Sequence, residues 1–302
     1  MQSSPRIFDR ALLRARRARA ARSGPADFLL AAVARELVER LQAVNRRFGL
    51  ALDLGCHTGL LADALLASGR VEAVLRADPS AALLASQPGL RVAADEEALP
   101  FRDGAFDLVI SALSLHFVND LPGTLVQVRR ALEPDGLFLA AMLGYGTLRE
   151  LKEAFAEAEA EVTGGVSPRV APFAEVRDAG ALLQRAGLAL PVADQDLLTV
   201  RYDDPFALMA DLRAMGATNM LAERSRRPLR RAVLRRAAEI YGARFADPDG
   251  RLRASFQVIS LSGWAPHESQ PKPLRPGSAQ ARLADALGSE ETSLGVKARP
   301  AN

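Results

Sequence analysis

The chain predicts a doubly wound α/β fold, with an amino-terminal helical cap and helical insertions toward its carboxyl end. Three observations carry that prediction. The segment Ala51-Leu52-Asp53-Leu54-Gly55-Cys56-His57-Thr58-Gly59 runs apolar into an acid and then through two glycines, and a helical pattern, Leu60 to Leu66, follows at once. Strand, glycine turn and helix in that order build a ligand crevice at the carboxyl end of a buried parallel strand. Short apolar runs then alternate with helical stretches at the interval of βαβ units. Finally, three successive runs end in an acid: Asp53, Asp78 and Asp95.

Each element has its own signal. Residues 7 to 22 set Arg against Ala and Leu at helical spacing, and Gly24-Pro25 stops them. A second helix is predicted from Asp27 to Val44, with Phe28, Leu29, Val33, Leu37 and Leu41 on one face. Strands are predicted at Leu50 to Leu54, Val74 to Asp78, Leu90 to Ala94, Phe106 to Leu113 and Leu137 to Leu143, the last entered through the turn Glu133-Pro134-Asp135-Gly136. After residue 146 the rhythm changes. Helices are expected at Leu148 to Val162, Ala174 to Ala186, about 205 to 215 and about 229 to 244. Strands are expected at Asp196 to Tyr202 and Ser255 to Trp264, paired antiparallel. The expected organisation is therefore a cap (1–45), a ligand-binding core (46–146), a substrate-side portion (147–265) and a largely disordered tail (266–302).

Composition narrows the function classes. With 49% hydrophobic residues among 302, the chain can fill a full core. Cys56 is the only cysteine, which excludes an internal disulfide and points to a reducing compartment. No apolar run approaches the ~18 residues that span a bilayer, and there is no secretory signal. Arginine gathers in two blocks, residues 6 to 22 and residues 224 to 236. Such blocks suit an anionic membrane surface or an acidic protein face as well as a solvated helix. No aromatic stripe interleaves with them, so DNA or RNA is not expected as a partner.

The chemistry sits at the strand ends. The spacing D-x-G-x-x-x-G, unlike the dinucleotide pattern G-x-G-x-x-G, suits a ligand that needs close backbone approach but has no pyrophosphate; S-adenosyl-L-methionine is the common one. Asp78 stands about 20 residues beyond the glycine turn, where an acid accepts ribose hydroxyls. Asp95 with Glu96 suits an exocyclic adenine amine, and Asp53 suits the cationic amino-acid end through water. Gly55 and Gly59 permit the tight turn. Helix caps are the plain alternative for any one acid; three in register favour a pocket. Cys56 sits in the same loop and counts among the cofactor-binding candidates; it reads as a small buried residue rather than a nucleophile, since no base stands beside it. His116, after the fourth strand, is the candidate catalytic residue: a neutral imidazole there takes a proton from a nucleophile, or else hydrogen-bonds the backbone. Tyr145 reads as half-buried packing.

These segments carry a resemblance. Leu52 to Gly59, Asp78-Pro79-Ser80, Ala94 to Phe101 and Phe106 to Val109 resemble the Rossmann-like class I S-adenosylmethionine-dependent methyltransferases across about residues 45 to 145. The likeness adds Pro79 and Ser111 to the cofactor-binding candidates. A narrower likeness covers nearly the whole chain. Ile7-Phe8-Asp9-Arg10, Ser111 to Pro122, Gly164 to Pro168, Met215 to Asn219 and Gly263 to Gln270 are similar to the assembly-factor family of respiratory complex I. That resemblance implies hydroxylation of an arginine on the iron–sulfur subunit beside the quinone site, with that subunit as partner. The family-like start lies almost at Met1, so a bacterial, cytoplasmic protein is expected, at the inner face of the membrane during assembly. An amino-terminal helix in this fold often folds over the cofactor, which makes Phe8 and the nearby arginines a candidate lid.

Two departures stand out. Many relatives have Gly-Cys-Gly where this chain has Gly55-Cys56-His57, and Phe117 replaces a common Trp. No metal site is expected: of His57, His116 and His267, none begins the H-x-D/E pattern of iron oxygenases. The oxidant of a hydroxylation is thus not visible in the sequence. Ala98-Leu99-Pro100-Phe101 resembles the biotin-pathway carboxyl methyltransferases equally well, which keeps O-methylation of a small or acyl-carrier-bound carboxylate as the alternative. A non-catalytic assembly chaperone is the third reading.

Overall fold

The computed structural model describes residues 6–271 and 283–289. The apolar runs become β1 (Phe48–Leu54), β2 (Val71–Asp78), β3 (Leu90–Ala93), β4 (Phe106–Ala112), β5 (Leu132–Leu143), β6 (Ala189–Tyr202) and β7 (Leu252–Trp264). They form one sheet in the order β3-β2-β1-β4-β5-β7-β6. β1 to β5 are parallel, and β7 runs antiparallel to both β5 and β6. Central strands buried on both faces need continuous apolar sequence, and Leu108, Val109 and Ile110 of β4 are fully buried. The register aligns the acidic tips: Asp53 lies opposite Arg76 and Ile110, and Asp78 opposite Ala93.

Helices cover both faces. The cap is α1 (Arg10–Ser23) and α2 (Phe28–Gln42); α3 (Leu60–Ala67), the short α4 (Ala81–Leu84) and α5 (Leu121–Ala131) link the parallel strands. α6 (Arg149–Thr163) and α7 (Val176–Arg185) precede β6, while α8 (Pro205–Ala214) and α9 (Arg231–Phe245) lie between β6 and β7. Two large apolar clusters result. One joins α2, α3, α6, α8 and α9 to the sheet, and the other holds α5 and α7. α2 buries Leu29, Val33, Leu37 and Leu41 as its periodicity predicts, but Phe28 is exposed, one residue after the turn that opens the helix.

Most boundaries lie within three residues of expectation, and three differences go further. β6 begins at Ala189, seven residues before the predicted Asp196. It is an edge strand whose first half is largely solvent-facing and contains Pro191, which edge strands and bulges tolerate; the register shifts between Ala189 and Val192. β5 runs through the predicted turn at Glu133–Gly136, which survives as an irregularity with Asp135 at φ +62°. In the stretch expected to be disordered, Leu283–Leu287 form a short helix, α10, in a separate unit running from Glu268. The rest of that expectation, 272–282 and 290–302, lies outside the described residues.

The cap is tied to the far end of the chain. Phe8 bridges to Leu221, the Asp9 amide donates to the Met220 carbonyl at 2.9 Å, and the Ala222 amide donates to the Ile7 carbonyl at 2.8 Å. Asp9 then caps α1 by accepting the Leu12 amide at 3.0 Å. Phe8, Leu13, Phe117, Met220 and Leu221 make a small apolar cluster of their own.

Candidate active site

The glycine turn after β1 is built from backbone geometry. The Gly55 and Cys56 amides both donate to the Ala77 carbonyl, at 2.8 and 3.0 Å, which folds the turn against the tip of β2. Gly55 and Gly59 have φ of +72° and +87°, and a Cβ on Gly55 would collide with the Ser114 side chain. One at Gly59 would stand 2.6 Å from Gln87 Oε1. Gln87 itself locks the turn, donating from Nε2 to the His57 carbonyl at 2.7 Å and to the Leu83 carbonyl at 2.9 Å. Between the glycines, His57 holds φ +51°, a left-handed conformation that costs an L-residue about 1 kcal/mol or more. Its Nε2 donates to the Leu113 carbonyl at 3.0 Å, and Leu113 is also left-handed, at φ +52°. Burial and the nearby Arg17 charge push the His57 imidazole down to about 3, so the ring is neutral.

The strand-tip acids do come together. Asp53 is fully buried, and both its oxygens lack a hydrogen-bond partner of normal geometry among the described residues. Burial, opposed by Arg76, pushes its carboxyl up to about 7. Asp78 is equally buried: Oδ1 accepts the Ser80 amide at 2.7 Å and Oδ2 the His57 amide at 3.2 Å. Burial, opposed by Arg17, raises it to about 6. Glu96 accepts the Ser114 hydroxyl; burial opposes its charge, but Arg10 and Arg17 outweigh burial and hold its carboxyl below the usual range. Asp95 is partly exposed and accepts the Glu97 amide at 3.0 Å.

Sequence reasoning missed the partners of these acids. Arg10 pairs with Asp95 at 2.7 Å and with Glu96, and also donates to the Phe117 carbonyl. Arg17 lies 3.4 Å from Asp78 Oδ2 and from Ser114 Oγ, and 3.7 Å from Glu96 Oε1. The usable signal was the α1 stripe Arg10, Leu13, Arg17 and Ala20, the four buried residues of that helix at helical spacing.

Other candidates take different places. Ser111 donates to the Leu54 carbonyl at 2.7 Å and so braces β4 against β1. Cys56 is buried, its thiol near Gln87 Oε1 at 3.6 Å and its pKa pushed up by burial and the acids. Pro79 follows Asp78 and leads into Ser80. His116 is buried under Phe117 and Phe173, and its Nδ1 accepts the Leu143 amide at 3.3 Å. That bond places the remaining proton on Nε2. Burial, Arg17 and His57 hold the ring neutral. In this tautomer His116 is a hydrogen-bond donor, and its lone pair is already engaged by backbone. Tyr145, expected to be half-buried, is exposed with Lys152 over its ring.

A cavity of about 340 Å³ opens beside the glycine turn, with largely apolar walls. His57, Thr58 and Leu83 are among its lining residues, as are His116, Phe173 and Met220, whereas Asp53, Asp78, Asp95 and Glu96 are not. Of the segments outside the glycine turn, His116, Phe117 and Met215 to Asn219 line the cavity. Asn219 Nδ2 donates to the Pro168 carbonyl at 2.8 Å, and Phe8 packs edge-on against Phe117 at 5.7 Å. Among the described residues no group of three or more His, Cys, Asp or Glu is arranged to hold a metal ion.

Comparison with known proteins agrees with this geometry. A family described as "Methyltransferase domain" matches residues 52–140. A Bacillus halodurans crystal structure assigned to the methyltransferases superposes with a TM-score of 0.54 at 16% identity, covering 78% of this chain and all of that one. It shows the shared fold. The mitochondrial arginine-hydroxylase NDUFAF5 of Homo sapiens is 41% identical over 288 residues, covering 92% of this chain and 83% of that protein. The Danio rerio protein of the same name is 39% identical, covering 92% and 89%. A malonyl-[acyl-carrier protein] O-methyltransferase of Halorhodospira halophila is 36% identical, covering 77% and 79%. The chain is an enzyme of this fold, and S-adenosyl-L-methionine is its cofactor. One observation fits that group: both buried oxygens of Asp53 lack a hydrogen-bond partner of normal geometry among the described residues. Strand order, glycine turn and near-full-length identity together establish that the chain belongs to the NDUFAF5 arginine-hydroxylase family of methyltransferase-fold enzymes.

Proposed function

We propose that this protein hydroxylates an arginine of the quinone-site iron–sulfur subunit during assembly of respiratory complex I, acting on the cytoplasmic side in a bacterial cell. The observation that carries the proposal is the joining of four separated segments beside one cavity. Phe8, His116 to Asn119, Pro168 and Met215 to Asn219 are linked by hydrogen bonds or ring contacts, and His116, Phe117 and Met215 to Asn219 line the cavity; these segments carry the resemblance to the assembly-factor family. In this reading Asp78 accepts the ribose hydroxyls of the cofactor, Asp95 and Glu96 face the adenine amine, and Asp53 faces the ammonium group. When bound, the cofactor would supply a sulfonium centre. Neutral His116 presents an N–H to the substrate, and the apolar walls exclude water from it. Mass spectrometry of the iron–sulfur subunit, from cells with and without this gene, tests the proposal. Loss of the hydroxylated arginine in the deletion strain is the expected outcome, and an unchanged modification refutes it.

The relatives that methylate malonyl-[acyl-carrier protein] support a second reading, methyl transfer to a carboxylate, because their identity also extends over most of this chain. Methyl transfer needs mainly positioning, since the sulfonium is already an activated donor. Incubation with methyl-labelled cofactor separates the two: label on an acyl-carrier-bound carboxylate favours this second reading.

A further inference from the structure

The carboxylate assigned above to the ribose is already engaged by α1. Asp78 has two oxygens and about four lone-pair sites. The Ser80 amide takes one at 2.7 Å and the His57 amide another at 3.2 Å. Both are backbone donors of the turns that shape the site. A third is taken by Arg17 at 3.4 Å. One site remains, whereas a ribose diol bound through both hydroxyls needs two. Arg17 is 3% exposed and its guanidinium lies between Asp78, Ser114 and Glu96, so it occupies volume as well as lone pairs. It also lines the cavity, alongside His57 and Leu83. Next to it, Arg10 occupies the two acids assigned to the adenine amine.

We propose that Arg17 competes with the cofactor ribose for Asp78, and that this competition sets the affinity of the enzyme for its cofactor. The inference rests on the cofactor site proposed above. Among the described residues that donate to Asp78, Arg17 is the only one to do so from its side chain, and it can leave by rotation along its own length. α1 therefore serves as a built-in rival to the nucleoside, held in place by the Phe8–Leu221 bridge and the apolar cluster around Leu13.

Calorimetry on the full chain tests this with adenosine and S-adenosylhomocysteine. Adenosine is neutral, so its affinity does not follow the net charge of the helix. Arg17→Met is expected to bind both ligands about tenfold more tightly than the natural protein, the scale of one hydrogen bond to a charged group. Arg14→Met, on the exposed side of the same helix, is expected to change neither. Unchanged or weaker binding by Arg17→Met overturns the proposal. So does equal tightening by Arg14→Met, which would mark a general charge effect. If Arg17→Met does not fold, Arg17→Gln takes its place with the same criteria. Absence of binding by the natural protein and every variant removes the cofactor site itself, a result distinct from an unchanged affinity.

Discussion

His57 sits in backbone that suits glycine. Glycine takes a φ of +51° without cost, whereas this chain places histidine there and ties its ring to Leu113, a second left-handed residue. Two strained positions from different loops thus support each other across the crevice. Asp53 makes a different kind of strain. Its ordinary value is 3.8, and burial raises it to about 7, so the folded protein retains a proton that the unfolded chain releases between those values. Stability from this group falls as pH rises through that window. Asp78, raised to about 6, acts in the same direction. His57 acts oppositely: lowered from 6.5 to about 3, it costs stability as pH falls through that range. Above pH 6.5 the acids alone remain. Asp53→Asn is therefore expected to flatten the loss of stability between pH 6.5 and 8 by about 1 kcal/mol, measured by urea unfolding at the two pH values. An identical loss in both proteins would refute the assignment.

At the scale of elements, α1 joins the molecule through one stripe. Leu13 is its largest apolar anchor, buried with Phe8, Phe117, Met220 and Leu221 in a cluster separate from the two that hold the sheet. Leu13→Ala is expected to cost about 2–4 kcal/mol of docking energy and to show it locally. Amide exchange should accelerate across Arg10–Ser23, with the central strands unaffected. Uniform acceleration throughout the sheet would mean that α1 is integral to the main core. The central sheet was legible because continuous apolar runs and the paired glycines leave few alternatives. The first half of β6 was not, because an edge strand with Pro191 and outward residues has no buried face to reveal it. The four residues of α4 were too short to give a period. Arg10 and Arg17 were hidden by their own chemistry. Arginine normally faces water, and the acids that draw these two inward lie 61 to 86 residues away in the chain.

For the molecule as a whole, much of the basic character noted in the sequence is neutralised internally. Arg236 pairs with Glu161 and Arg244 with Glu157, which joins α9 to α6, and Arg224 pairs with Asp9 at the cap. Exposed pairs of this kind contribute little each, but they leave fewer free cations than the count of arginines suggests. Whether the molecule works by chemistry or as a scaffold is a question for Asp78, which anchors the turn as well as the proposed ribose contact. Asp78→Ala is expected to abolish binding of S-adenosylhomocysteine in calorimetry and, in cells, assembly of complex I with it. Full assembly without binding would favour the scaffold.

The contact between residues 7 to 9 and residues 220 to 222 also constrains events at the ribosome. Residues 7 to 9 reach their partners only once residues 220 to 222 have been made. Synthesis proceeds from the amino terminus, and domains fold as their segments emerge. The helix translated first therefore gains this anchor only after most of the unit has been made, and β7 is made later still.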